Sequence, residues 1–357
     1  MKSQAQLEAS IERFRRGFWD RKTIDRPPVG VAPDRSWLPI NYLKEPLLRG
    51  EVLPADVTRD RVRTDYEDYS RRRAVKSDDW MPYVAPWRAV PWLEAMCGCR
   101  VRSSAGSLAA GRFVETADRL QSIAIPGNSQ WFERLREQTR ELQETAPEDC
   151  WVSPTILRGP SDVLAAMRGL GDFFLDLSDD PQAVADAAAR VNELHLDVLD
   201  MHFSLVREKL GGYGHIFGYW APHVTTVIQE DAMGMCSPSC YRDLFMPYNA
   251  AIVEHLGPGV FFHLHSTGHR HYRHVLDIPH IAGLQMTVEA NGPQLSDLIP
   301  VLREILERTR LILSVDSHFD QLQAAIRQLP AEGLYLIVSD KFVSTDGDFQ
   351  ELLAANW

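Results

Sequence analysis

The residues in this chain best suited to do chemistry are His263 and His265, which close the apolar run Gly259-Val260-Phe261-Phe262. In an extended strand, side chains two apart share a face with their Cα atoms roughly 6.5–7 Å apart, so both imidazoles point into one space. Such a pair suits a metal site or a proton-transfer site. Seven of the twelve histidines fall between His255 and His280, a clustering that marks this segment for function. A catalytic zinc takes three protein ligands and keeps one position open. Glu289, Asp316 and Asp340 are the expected sources of the third ligand, because each, like the histidines, is a polar residue at the end of an apolar run. The other reading is metal-free, with the imidazoles serving as acid and base or holding an anion.

Several nearby residues extend the site. Ser266-Thr267-Gly268 precedes an expected helix over residues 269–276, whose first N–H groups could hold an anionic substrate group while Ser266 or Thr267 caps it. Arg270 and Arg273 add positive charge there, or simply make a solvated helix face. Glu230 and Asp231 stand at a strand-to-helix loop, where carboxylates serve as general acid, general base or cation ligand, or cap a helix and pair with Arg242. Tyr219 and Trp220 follow the short run Ile216-Phe217-Gly218 and would form an aromatic pocket wall.

The elements that must position these groups follow a helix-then-strand rhythm. Amphipathic helices are expected over residues 131–145, 161–170 (with Ser161 as its cap) and 181–210, the last opening at Asp180-Pro181. A strand is expected at residues 151–157. Four apolar runs follow at residues 259–265, 282–289, 310–317 and 333–340, separated by helices such as 295–309 and 320–329. Strands apolar throughout and alternating with helices imply a parallel sheet covered on both faces. The expected fold is therefore α/β, a (β/α)8 TIM-type barrel whose chemistry sits at the C-terminal ends of its strands. All 357 residues are expected to form one domain, with an N-terminal helical segment over 1–27 and a loop-rich insertion near the barrel mouth over 78–125. That insertion holds three of the nine tryptophans among prolines, which suits a packed wall or lid.

Composition removes several function classes. A formal charge of −11 argues against a nucleic-acid partner, which would need a basic surface. No stretch approaches the ~18–20 apolar residues of a membrane span, and the first residues lack the apolar centre of a signal peptide. A cytoplasmic location is expected. Five cysteines, an odd number, read as reduced thiols, and neither Cys97 with Cys99 nor Cys236 with Cys240 has the usual CxxC spacing. Dinucleotide, P-loop, nucleophile-elbow and HExxH motifs are all missing, which counts against hydride transfer, nucleotide hydrolysis and serine-type acyl transfer.

Three stretches, in order, carry a resemblance to a known family. They are Gly159-Pro160 followed by Gly169 and Asp180-Pro181; Glu230-Asp231 followed by Ser237-Pro238-Ser239-Cys240-Tyr241-Arg242-Asp243-Leu244-Phe245-Met246-Pro247-Tyr248; and Phe262-His263-Leu264-His265-Ser266-Thr267-Gly268. On these the chain resembles the uroporphyrinogen decarboxylase superfamily, which includes corrinoid-linked methyltransferases. The resemblance implies a (β/α)8 barrel. It excludes the haem-pathway decarboxylase itself, because Val29-Gly30-Val31-Ala32-Pro33-Asp34-Arg35 stands where that enzyme carries an Arg-Gln-Ala-Gly-Arg-Tyr segment. Methyltransferase members hold zinc with a His-x-Cys motif and a late cysteine. Here His265 replaces the first cysteine and Ser339-Asp340-Lys341-Phe342 offers no second thiol, so the ligands become nitrogen and oxygen and the metal harder. The resemblance thus implies a methyltransferase or demethylase of a small methylated substrate, holding a divalent metal such as zinc and working with a corrinoid protein or a thiol. A lyase of a small carboxylic acid anchored by Arg270 or Arg273, and a non-catalytic corrinoid- or ligand-binding barrel, are the alternatives.

Overall fold

The computed structural model describes residues 2–32, 50–57, 75–87, 90–104, 107–116, 119–120 and 129–357. Residues 33–35, and 88–89, 105–106, 117–118 and 121–125 of the expected insertion, lie outside the described residues.

Six strands form one parallel sheet: β1 (Val29–Ala32), β4 (Thr226–Gln229), β5 (Val260–His265), β6 (Gly283–Val288), β7 (Arg310–Val315) and β8 (Leu334–Ser339), in the order β1-β8-β7-β6-β5-β4. A parallel two-strand ladder joins β2 (Tyr83–Val84) to β3 (Trp151–Val152). The expected strand at 151–157 keeps only a two-residue ladder, since Pro154 has no N–H to donate. Single contacts continue the pairing: Arg158 bridges Gln229 of β4 in parallel, and the Asp79 N–H donates to Val29 O at 2.7 Å. From the insertion come the helix α2 (Trp92–Met96), and strands 101–104 and 107–110, which pair with each other and with 50–52 in a small antiparallel sheet. The chain is thus a mixed α/β protein built on a parallel sheet.

Helices α1 (Gln4–Arg13), α3 (Gln130–Thr145), α4 (Pro160–Arg168), α5 (Leu170–Asp179), α6 (Pro181–Leu205), α7 (Pro238–Leu244), α8 (Met246–Leu256), α9 (Tyr272–Leu276), α10 (Leu295–Arg308), α11 (Leu322–Ile326) and α12 (Asp346–Asn356) surround this frame. Local chemistry sets their starts. Ser3 and Gln6 form a capping box on α1, and the Asp180 side chain accepts the Ala183 N–H ahead of Pro181 on α6. The expected Ser161 cap is displaced: Gly159 is the N-cap of α4, and Ser161 spends both its N–H and its hydroxyl on the Glu230 carboxylate. The helix expected at 269–276 is split into a 3-10 stretch, Ser266–His271, and α9, with no side-chain cap.

Alternation along the strands separates two faces. Phe262 and Leu264 of β5, with Leu284, Met286 and Val288 of β6 and Leu311 and Leu313 of β7, face the helices. The other face is graded. At its N-terminal end Val227, Phe261, Ile312, Tyr335 and Ile337 meet Leu7, Ile11, Phe14, Phe18 and Trp19 from the N-terminal helix and its π-helical continuation. Phe18 stacks on Phe261 with ring centroids 5.8 Å apart, and Arg310 caps the plug by donating to the Trp19 carbonyl at 2.7 Å. Full burial of Phe14 and Phe18 contributes about 2 kcal/mol each. Gly30 leaves room for this layer, because a Cβ there would sit 2.3 Å from the Tyr335 hydroxyl. Toward the C-terminal end the same face turns polar. Register aligns Gln229, His263, Gln285 and Ile312 in one row, and His265, Thr287, Ser314 and Ile337 in the next.

Candidate metal centre

His263 and His265 project from the last turns of β5's pleat into the polar end of this face. Their Nε2 atoms stand 3.1 Å apart. Asp231, at the start of the 3-10 turn Asp231–Met235 after β4, places Oδ1 at 3.5 Å from His265 Nε2 and 4.0 Å from His263 Nε2. Ligand atoms of these three residues all lie within 4.8 Å of one another.

The outward nitrogens are held from behind. His263 Nδ1 meets the Gln285 amide oxygen, and Gln285 Nε2 in turn donates to Thr287 Oγ1 at 3.2 Å and Ser314 Oγ at 3.0 Å. This network turns the Gln285 oxygen toward His263. His265 Nδ1 lies 2.9 Å from Glu289 Oε1, and the Glu289 backbone is fixed by its N–H donating to Ser266 Oγ at 3.2 Å. Gln285 and Glu289 thus stand behind the two rings, and both Nε2 atoms face each other and Asp231.

Asp231 is positioned by its own N–H and that of Ala232, which donate to the Asp162 carboxylate at 3.0 and 2.6 Å, and by the Gln229 amide on Oδ2. Arg270 reinforces this turn by donating to the Gly234 and Cys236 carbonyls. Burial holds His263 below its ordinary imidazole value, against the opposing pull of Asp231. His265, by contrast, is raised through its bond to Asp231 despite burial. Burial alone would raise Asp231, but His265 and the charge of both rings bring it below the usual carboxylate range. Behind it, burial and the Asp231 charge push Asp162 up.

The remaining expected site residues are placed as follows. Asp316 and Asp340 stay at the ends of β7 and β8, where their N–H groups donate to Val288 O at 3.3 Å and Ala32 O at 2.9 Å. Glu230 faces the helices, where Ser161 binds it and where burial and Asp162 push it up to about 8. Tyr219 and Trp220 are buried in the aromatic layer at the N-terminal end of the face, with Trp19 Nε1 donating to the Trp220 carbonyl at 2.8 Å. Arg273 forms a two-pronged pair with Glu304, 3.0 Å on each side, on the protein surface. Two residues that hold the site escaped the sequence reading. Gln285 was marked by being a polar residue inside the apolar run Gly283-Leu284-Gln285-Met286; Asp162 resembled an ordinary first-turn helix acid.

No protein-family model matches the chain, and no curated protein does. Ten chains of known structure match. Among them is a methyltransferase from Methanosarcina mazei, similar over 99% of this chain and 97% of that one with a TM-score of 0.62 and 13% identity. The chain therefore shares, over almost its whole length, the fold of a protein known as a methyltransferase. No helix among the described residues is long and apolar enough to cross a membrane.

Proposed function

We propose that this chain is a methyltransferase or demethylase acting on a small methylated substrate, with Asp231, His263 and His265 holding a divalent metal, zinc by preference. One observation carries the reading: two imidazole nitrogens face each other at 3.1 Å while each ring's other nitrogen is held by a buried or half-buried oxygen. Two opposed lone pairs repel unless a positive charge lies between them. A proton fills that role when His265 is charged, and a metal ion competes with it for the same atoms. Atoms bound to a tetrahedral zinc at about 2.0–2.1 Å stand roughly 3.3 Å from one another, and the three separations here are 3.1, 3.5 and 4.0 Å. Two nitrogens and one oxygen leave the fourth position for a substrate or water.

Bound there, the metal would act as a Lewis acid on a substrate oxygen or lower the pKa of a bound nucleophile. The chain's own residues do the rest. Gln285 and Glu289 would steady the two rings from behind, and Asp162 and Gln229 aim Asp231. With no cysteine in the ligand set, the harder site suits an oxygen nucleophile better than a thiolate. A corrinoid protein as methyl carrier is what the superfamily resemblance implies, and the fold shared with a methyltransferase is compatible with it. The same fold is best read as a closed (β/α)8 barrel in one domain. The Arg158–Gln229 bridge, the β2–β3 ladder and the Asp79–Val29 hydrogen bond are the contacts that would join β4 to β1 around the open side. Five free cysteines, four of them buried, accord with a cytoplasmic location.

The test is metal analysis of protein purified without chelator, followed by cobalt substitution. About one divalent ion per chain and a tetrahedral cobalt spectrum are expected, both lost in His263→Ala. Full turnover by the metal-stripped enzyme would replace this reading with the lyase one. Ligand-dependent stabilisation without any turnover would replace it with a binding barrel.

A further inference from the structure

The polar face of the sheet carries one cation that neither the sequence reading nor the site above uses. Arg158 is the parallel bridge partner of Gln229, and the following N–H, of Gly159, donates to Gln229 O at 2.7 Å. Bridge partners in parallel strands carry their side chains on the same face. Gln229 is in turn the register partner of His263. The row therefore runs Arg158, Gln229, His263, Gln285, and the guanidinium belongs to the same layer as the metal candidate. Two interstrand spacings, roughly 9–10 Å, separate the Arg158 and His263 backbones.

The guanidinium is both held and accessible. Glu94 of α2 pairs with Nη2 and is itself 1% exposed, whereas the Arg158 side chain is 34% exposed. A buried carboxylate that pairs with one end of an arginine leaves the rest of its planar donor fork for a second oxyanion. The other arginines near the site have partners that direct them elsewhere: Arg270 braces the Asp231 turn and Arg273 is bound to Glu304 on the surface. We propose that Arg158, oriented by Glu94, anchors a carboxylate group of the substrate while the substrate's reacting end lies at Asp231, His263 and His265. A carboxylate fits better than a phosphate or phosphonate. Arg158 offers a single charge already shared with Glu94, and the adjoining start of α4 has its Ser161 N–H and hydroxyl committed to Glu230. The inference rests on the proposed metal site and names the substrate class for it.

The bland account is that Arg158 merely neutralises a buried Glu94. The two accounts differ in sign across the ion pair. Succinate serves as the probe, with succinamide as the neutral control and inorganic phosphate as the competing anion, each titrated calorimetrically into metal-loaded protein. Succinate is expected to bind the wild type, Arg158→Gln to weaken it at least tenfold, and Glu94→Gln, which frees the guanidinium, to bind as well as the wild type or more tightly. Arg158→Lys should fall between, since it keeps the charge and loses the fork. Equal losses in Arg158→Gln and Glu94→Gln, no preference for succinate over succinamide, or tighter binding of phosphate would each overturn the proposal. Should Arg158→Gln fold poorly, the double variant Glu94→Gln/Arg158→Gln removes both charges and must still lose succinate. His263→Ala separates this from the metal reading. Metal loss with residual succinate binding through Arg158 supports both. Retained metal defeats the metal reading alone, and metal binding with succinate affinity unchanged in Arg158→Gln defeats the anchor alone.

Discussion

Replacing Gln285 with leucine tests how the imidazoles are set. Gln285 is fully buried, its amide oxygen takes the His263 Nδ1 proton, and its amide nitrogen is spread over Thr287 and Ser314. Leucine fills similar space but offers no acceptor. His263 then keeps a buried N–H with no partner, at a cost of roughly 1–3 kcal/mol to the metal-free fold. The ring is also free to turn or to move its proton to Nε2, the atom that faces Asp231. Outer partners of metal-bound histidines are typically worth about 10–100-fold in affinity, or roughly 1.4–2.8 kcal/mol. Competition against a fluorescent zinc chelator measures that loss, and thermal unfolding of the stripped protein measures the fold term separately. Gln285→Glu restores an acceptor and should recover most of the affinity. The reasoning is wrong if Gln285→Leu binds zinc as tightly as the wild type while melting lower, because Gln285 would then be a core residue with no hold on the tautomer.

Three other outcomes follow from the same structure. Asp231→Asn should weaken zinc binding more than Glu289→Gln does, by about a hundredfold against about tenfold, since the first alters a ligand atom and the second only the partner of His265 Nδ1; chelator competition ranks the two, and the reverse order would move the third ligand to Glu289. Acid should unfold the protein early, because burial lowers His195 from 6.5 to about 4 and His202 to about 3. A histidine with a depressed folded pKa stabilises fully above about 6.5 and loses that contribution as pH falls toward its folded value, here about 3 and 5 kcal/mol in turn at most. Urea unfolding from pH 7 to 4 should show the decline, which a flat profile down to pH 5 would contradict. Gly259→Ala should cost at least about 1–3 kcal/mol by overpacking, as its Cβ would lie 1.9 Å from the Val224 carbonyl oxygen; an unchanged melting temperature would show that the loop before β4 yields freely.

How much of this was legible depends on where the information lies. The last four strands could be read almost to the residue, because both of their faces are buried and hydrophobicity alone outlines them: the run expected at 282–289 is the strand Gly283–Val288, and that at 333–340 is Leu334–Ser339. The strands before them were read unevenly: the strand expected at 151–157 pairs only at Trp151–Val152, and β2, two residues long, is held by loop contacts that leave no periodic trace. The histidine pair was legible from spacing, and Asp231 as a cation ligand in its own loop, but not that the two belong to one site. The strand-end rule offered Glu289 on one neighbour of β5, and Asp231 lies two residues past the end of the other. Which of the two faces Nε2 and which faces Nδ1 is decided by ring orientation, and that is set by Gln285, a residue in the strand interior.

The graded inner face also explains why fold and site cannot be tuned separately. Its N-terminal end is an aromatic plug whose stability comes from burial, whereas its C-terminal end buries His263, Gln285, Thr287 and Ser314, groups that cost free energy unless each finds a partner. Removing one member strands another, but removing a mutually satisfied pair does not. His263→Phe combined with Gln285→Leu should therefore melt higher than Gln285→Leu alone, and near or above the wild type, while binding no metal. If the double variant instead melts lower than either single one, the polar row contributes to folding in its own right, and the site would be part of what holds the sheet together.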